Sequence, residues 1–181
     1  MRKRLFGLAL LILTAISLGA QQPQSQQQTR PPYTAPNRNI DYNGFLTNAV
    51  LVNKLRQERR VSEQDFIEMS RELDTIILDA RSDSKYQLLH VKGAKHLSLP
   101  DFTALELAKV IPNKDTHVLI YCNNNFKNEP LAFPSKTVSA SLNLYTFNCL
   151  YSYGYTNVYE LGPLIDITNS KLTFDGTKVG H

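Results

Sequence analysis

Apolar positions between residues 45 and 59 recur at Phe45, Ala49, Val52 and Leu55, the spacing of one helix face, and predict an N-terminal helix that packs on the main body. Ser62-Glu-Gln-Asp65 has the form of a capping box with a shorter acid, and Phe66, Ile67 and Met69 follow it. Thr75-Ile-Ile-Leu-Asp79 is a short β-branched apolar run bounded by polar residues, which suits a strand covered on both faces of a parallel sheet. Residues 82–89 read as a helix, and Gly93-Ala94 punctuates a turn into a short strand at Lys95-His96-Leu97. Helical spacing returns over 103–111 and stops at Pro112-Asn113. His117-Val-Leu-Ile-Tyr121 is the second strong central strand. A long, mostly apolar helix over 138–153, closed by Gly154, precedes a third strand over 156–161. Strands separated by helices of this size predict an α/β domain with a central, mainly parallel sheet flanked by helices.

The pattern changes at the N-terminus. Met1-Arg-Lys-Arg4 is a positive segment, Leu5 to Leu18 an apolar run, and Gly19-Ala20 a pair of small residues before polar Gln21-Gln22. This is the layout of a secretory signal peptide over residues 1–20, with an uncleaved anchor as the alternative because Leu18 is large for its place near the cut. The run is short for a bilayer crossing, so no stable membrane span is expected after cleavage. No Cys follows it, which excludes a lipoprotein anchor, and either reading carries the domain into an oxidising space. Residues 21–38 are rich in Gln and Pro and read as a solvated linker, with Pro31-Pro32 the alternative docking point for a protein partner. The expected organisation continues with a helical extension over 39–72, the α/β domain over 73–168 and a tail over 169–181.

Composition narrows the function. The chain has 181 residues and is 42% hydrophobic, enough for one sizeable core and too apolar for a disordered chain. Its two cysteines make neither a disulfide scaffold nor a four-thiolate zinc site, and no metal is expected. The net charge of +4 rests on Arg2, Lys3 and Arg4; without these three, 17 of the 20 basic residues remain against 16 acidic ones. Such a balance gives no reason to bind nucleic acid.

In open α/β sheets the ligand lies beyond the C-terminal ends of the strands. Asp79-Ala-Arg81 stands at one such end and Cys122 at another. A cysteine there can sit in a cup of backbone N–H groups that favours the thiolate and holds an anion. Asn123, Asn124 and Asn125 suit the cup because Asn tolerates left-handed backbone. The alternative is that Cys122 only fills the strand end, as buried free cysteines often do.

Residues 75–165 resemble the rhodanese family, α/β sulfurtransferases and related modules. The resemblance rests on Ile77-Leu-Asp79-Ala-Arg81-Ser82 with Tyr86, on His90-Val-Lys-Gly93-Ala94-Lys-His-Leu97, on Val118-Leu-Ile-Tyr-Cys122 and on Tyr153-Gly-Tyr-Thr-Asn-Val-Tyr-Glu-Leu161. It implies a three-layer rhodanese-like fold and places Cys122 at the family's catalytic cysteine. The Asn run and the long insertion after it resemble exported bacterial members, which implies the periplasm. The implied reaction moves a sulfane sulfur from a small sulfur-containing anion to a thiol or cyanide through a Cys122 persulfide, with no cofactor. Backbone amides of Asn123, Asn124, Asn125, Phe126 and Lys127 would hold the donor.

The departures from the family are specific. No Arg lies in the loop after Cys122, and Lys127 is the cation at its last position. Residues 128–137 separate the loop from its helix, either as a lid carrying Leu131 and Phe133 or as a spacer that loosens the cup. Gly162-Pro163 stands where a Gly pair is usual. These changes favour a non-catalytic binding module as the alternative function. A phosphatase ranks last, because that chemistry wants an Arg clamping phosphate oxygens. Asp79 and Arg81 are expected to pair structurally near the site. His90 and His96 are expected as turn and strand residues. Cys149 is expected to pack within its helix, with a disulfide to Cys122 as the alternative.

Overall fold

The last four side chains of His117–Tyr121 are all buried, a state available to a strand only at the centre of a sheet covered on both faces. The computed structural model, which describes residues 37–179, places it there. The chain divides after Asn37, and the α/β architecture is that of the unit beginning at Arg38. The expected signal peptide and nearly all of the Gln/Pro-rich linker lie outside the described residues, as do residues 180 and 181.

Helix α1 (Tyr42–Arg59) leads into β1 (Arg60–Val61), α2 (Glu63–Met69) and β2 (Thr75–Asp79). Then come α3 (Asp83–Leu88), β3 (His90–Val91), β4 (Lys95–His96), α4 (Ala104–Val110) and β5 (His117–Tyr121). The chain continues through β6 (Phe126–Lys127), α5 (Leu142–Ser152), β7 (Val158–Leu161), β8 (Ile165–Asp166) and β9 (Phe174–Asp175). The central sheet runs β1-β7-β5-β2-β4 with every pairing parallel. The capping box forms as expected: the Asp65 N–H donates to Ser62 Oγ, and the Asp65 carboxylate accepts from the Ser62 N–H.

Side-chain alternation along the strands splits the core into two layers. Leu78, Val118, Ile120 and Val158 pack with Val52 of α1, Leu107 of α4, and Phe147 and Leu150 of α5. Ile77, Leu119, Tyr121 and Leu161 pack on the other side with Phe66 of α2, Leu89, Phe126 and Phe133. Each such burial is worth about 1.5–3 kcal/mol. The result is the three-layer α/β fold expected.

Three features differ from the pattern reading. Helix α5 starts at Leu142 rather than 138, because Val138–Ala140 form a 3₁₀ turn and Ser141 takes the cap position with extended backbone. Val138 is 84% exposed, so the apolar residue that extends the pattern does not face the core. The 39–72 segment adds an edge strand, since Arg60 and Val61 pair with Glu160 and Leu161. The segment from 169 adds β9, which pairs antiparallel with β3, and buries Leu172. Two-residue pairings carry no periodicity to read.

A buried ionic cluster closes the layer containing α2 and α3. The Arg81 guanidinium donates to both Asp79 oxygens, with Nη2 to Oδ2 at 2.6 Å, and to the carbonyls of Ala132 and Leu89 at 2.9 and 2.7 Å. The Tyr121 hydroxyl also donates to Asp79, and the Arg81 guanidinium lies 4.2 Å from the Phe133 ring centroid. Burial opposes the Arg81 charge, but the hydrogen bonds and charge of Asp79 outweigh it and raise the Arg81 pKa. Burial first, and the Asp79 charge second, push the Tyr121 phenol well above its usual 10.

The cluster also decides what the insertion does. Ala132 and Phe133 are buried within the core, and Glu129 pairs with Lys178 at 2.7 Å, a contact that lowers the Glu129 pKa. Of the two alternatives for residues 128–137, the lid is therefore not formed, because Arg81 anchors the segment to the body through the Ala132 carbonyl.

Arg81→Ala leaves Asp79 buried without its cation and is expected to cost about 3–5 kcal/mol in urea unfolding. A raised Tyr121 pKa in the folded state means that its stability contribution is complete below the unfolded value near 10 and falls as pH rises past it. Tyr121→Phe is accordingly expected to lose stability less steeply than the wild type above that pH, measured by urea midpoints.

Candidate active site

Strand parity decides where Cys122 points. Tyr121 faces the layer of α2 and α3, so the next residue, still extended at φ −145° and ψ −175°, faces α1 and α5. Residues Asn123–Asn125 then turn as a short 3₁₀ helix, and Phe126 resumes extended backbone in β6 beside β8. The only left-handed non-glycine residue among the described residues is Asn128, at φ 69°, so the Asn run is not used for left-handed backbone.

The Asn side chains instead hold the loop to the protein. The Cys122 N–H donates to Asn125 Oδ1 at 2.8 Å, and the Asn143 amide donates to the same oxygen at 3.3 Å. Asn125 Nδ2 donates to the carbonyls of Leu161 (2.7 Å) and Pro163 (3.3 Å), which ties Cys122 to the end of β7. Asn124 exchanges two hydrogen bonds with the backbone of Lys136 in the insertion, at 2.8 and 2.9 Å. Main-chain amides are committed as well: the Asn125 N–H donates to the Cys122 carbonyl and the Phe126 N–H to that of Asn123. Of the expected cup of amides from Asn123 to Lys127, those of Asn125 and Phe126 are therefore used within the turn.

Cys122 is 1% exposed and lines an open pocket of about 730 Å³. Its Sγ lies 3.4 Å from Ser141 Oγ, in a contact that either group can donate. Ser141 stands at the start of α5, whose first turn no side chain caps, so the positive end of the helix dipole faces this pocket. Asn143 also lines it, and its buried Oδ1 has no protein partner. Arg56 and Arg60 complete the wall from the N-terminal segment. Arg56 forks onto the buried Glu160 carboxylate at 2.6 and 3.0 Å, whereas Arg60 meets no carboxylate among the described residues.

Of the residues expected at the site, Cys122, Asn124 and Asn125 line this pocket. Asn123 lines a separate cleft with Arg81 and Lys85. The Phe126 side chain is buried in an aromatic cluster, its ring centroid 4.5 Å from that of Phe133 and 5.9 Å from that of Tyr121, and its N–H donates to the Asn123 carbonyl. Lys127 is exposed, with its amine 4.0 Å from Asp166, and does not replace a loop arginine at the pocket. Asp79 and Arg81 pair behind the sheet. His90 and His96 stack on Tyr86 at 3.9 and 4.6 Å, also away from Cys122. Cys149 is a free, half-buried thiol in α5 whose pKa is raised by burial, and Cys122 is free too, so no disulfide joins them.

Arg56, Arg60, Ser141, Asn143 and Glu160 join the site without having been expected there. Two signals for them exist in the sequence. Arg56 follows Val52 by one helical turn on the apolar stripe, and Glu160 has the inward parity of Val158. Ser141 is hidden because the helical pattern extends over it.

A sequence model of the family described as "Rhodanese-like domain" matches residues 62–162. No curated protein matches the chain. Among solved structures, a rhodanese with anions from E. coli is 21% identical, covers 56% of this chain and 98% of its own, and has a TM-score of 0.39. A rhodanese-like domain from Anabaena sp. is 19% identical over 68% of this chain and 85% of its own, with a TM-score of 0.47. A Helicobacter pylori protein is 20% identical over 67% and 92%, with a TM-score of 0.43.

Asn125→Ala strands the buried Cys122 N–H and Leu161 carbonyl and is expected to cost about 2–4 kcal/mol in urea unfolding. Asn124→Ala, at a half-buried position, is expected to cost less than about 1 kcal/mol.

Proposed function

The chain belongs to the rhodanese-like domain family, and from that premise we propose that it transfers a sulfane sulfur through a persulfide on Cys122. The observation that carries the reading is the placement of Cys122 on the wall of an open pocket that Arg60 also lines, with its Sγ beside Ser141 at the uncapped start of α5. A nucleophilic sulfur, a helix N-terminus and a guanidinium around one space are complementary to a small sulfur-containing anion.

With thiosulfate, the Cys122 thiolate attacks the outer sulfur and forms an S–S bond. The bond between the two thiosulfate sulfurs breaks, and its electron pair leaves with sulfite. The persulfide then passes its outer sulfur to cyanide as thiocyanate, or to a thiol as a new persulfide, and Cys122 returns as thiolate. The uncapped first turn of α5 stabilises negative charge at the sulfur in both steps. Ser141 Oγ orients the sulfur, and the Asn125 clamp keeps the Cys122 backbone in place. None of these steps calls on a metal or organic cofactor. Export to the periplasm is part of this reading, supported by the charged, apolar and small-residue order of residues 1–20.

A second reading, a non-catalytic binding module in the cell envelope, is favoured by one observation. The Asn124 and Asn125 side chains and the Asn125 and Phe126 amides, which would help cradle a donor, are bonded within the protein.

Intact-protein mass spectrometry after incubation with thiosulfate or 3-mercaptopyruvate separates the two. The wild type and Cys149→Ser are expected to gain one sulfur atom and to produce thiocyanate from cyanide, while Cys122→Ser does neither. A wild type that gains no sulfur from any sulfane donor is a binding module.

A further inference from the structure

A second cleft opens at the C-terminal ends of the strands and is unused by sulfur transfer. It lies where Ala80 leaves β2 and Asn123 follows β5, with the insertion and the turn after β4 as further walls, and has a volume of about 340 Å³. That is the end of an open parallel sheet where ligands sit, and the volume is sufficient for a small organic molecule. The cleft shares no lining residue with the Cys122 pocket.

Three kinds of group line it. Leu99, Pro100, Pro134 and Leu142 offer hydrocarbon. Lys85 and Lys136 offer positive charge, no Asp or Glu lines the cleft, and neither lysine pairs with a carboxylate among the described residues. The Lys85 amine donates to the Leu131 carbonyl at 2.7 Å, which leaves two of its three N–H groups for a ligand. Lys136 is held to Asn124 by its backbone, so its amine is uncommitted. The third group is Asn123, which is 5% exposed and whose Oδ1 has no hydrogen-bond partner in the protein. An acceptor withdrawn from water without a donor is a cost to the fold. Its broad χ2 well lets the oxygen turn toward a ligand without breaking any hydrogen bond to it.

We propose that this cleft binds a carboxylate with an N–H beside it and an apolar side chain, the chemistry shared by an N-acyl amino acid and the C-terminal residue of a peptide. The carboxylate pairs with Lys85 and Lys136, the N–H donates to Asn123 Oδ1, and the side chain covers Leu99, Pro100, Pro134 and Leu142. A bare anion such as phosphate uses only the first of these features and leaves Asn123 and the apolar walls unmatched. Binding here makes and breaks no covalent bond and does not draw on the chemistry of Cys122.

The test titrates isotope-labelled protein, followed by amide NMR, with N-acetylphenylalanine and with three analogues that each lack one feature. N-acetylalanine lacks the large apolar group and is expected to bind about 10-fold or more weakly. The analogue 3-phenylpropionate lacks the N–H and is expected to bind about 5-fold more weakly. N-acetylphenylalaninamide lacks the charge and is expected to bind about 3- to 5-fold more weakly. Shifts are expected at Ser82, Ser98 and Asn123, and not at Ser139 and Gly162 of the Cys122 pocket. Asn123→Ala is expected to bring N-acetylphenylalanine and 3-phenylpropionate within about twofold of each other, a ratio internal to the variant that partial unfolding does not mimic. The wild-type series needs no variant. Tighter binding of N-acetyl-Gly-Gly-Phe than of N-acetylphenylalanine assigns the cleft to a peptide C-terminus, and weaker binding assigns it to the free acid. Equal affinity for the phenylalanine and alanine acids, phosphate binding as tightly as either, shifts centred on Ser139 and Gly162, or no binding at all overturns the proposal. None of these outcomes bears on sulfur transfer, which is read from the mass of Cys122 persulfide.

Discussion

A guanidinium withdrawn from water must find hydrogen-bond acceptors within the protein, and Arg81 finds them on three separate segments of chain. Asp79 of its own strand end neutralises it, the carbonyls of Leu89 and Ala132 accept from it, and the rings of Phe133 and Tyr121 flank it. The cluster joins the ends of β2 and β5, the turn into β3 and the insertion after the loop. Removing water from this ion pair carries a desolvation cost, which only complete hydrogen bonding offsets. That requirement makes the arrangement all-or-none, and it fixes the C-terminal edge of the sheet against which the Cys122 loop is built.

From this edge the two faces diverge. Asp79 and Tyr121 are register partners on adjacent strands and share the face of α2 and α3. One residue further on, Cys122 emerges on the face of α1 and α5. The ionic cluster and the Cys122 sulfur are thus separated by the thickness of the sheet, and the charge of Asp79 and Arg81 serves the scaffold rather than the pocket. A loop without arginine is left to rely on groups brought from elsewhere. The N-terminal segment brings Arg56 and Arg60, α5 brings its uncapped first turn, and Asn125 holds the cysteine backbone while the rest of the loop turns away into β6.

The insertion shows how one contact can reverse an expectation. Phe133 and Leu131 look alike as apolar residues in a polar stretch, and either suits a lid. Phe133 packs under Arg81 within the core, while Leu131 is 62% exposed. The Phe133 side chain meets the Arg81 guanidinium about fifty residues away in sequence, whereas Leu131 offers only its carbonyl, which accepts from Lys85.

Local chemistry along the chain was sufficient for the strands at 75–79 and 117–121, the capping box at Ser62, the α/β class, and Cys122 as the residue to explain, because periodicity and strand-end position are written within a few neighbouring residues. The pairing of Asp79 with Arg81, two residues apart, was legible for the same reason. Tertiary structure alone decided that Phe126 and Lys127 leave the pocket, that Arg56, Arg60, Ser141 and Asn143 enter it, and that residues beyond 168 close the fold as β9. Each of those outcomes is a contact between segments distant in sequence, where burial and hydrogen-bond satisfaction choose among partners that no local pattern distinguishes.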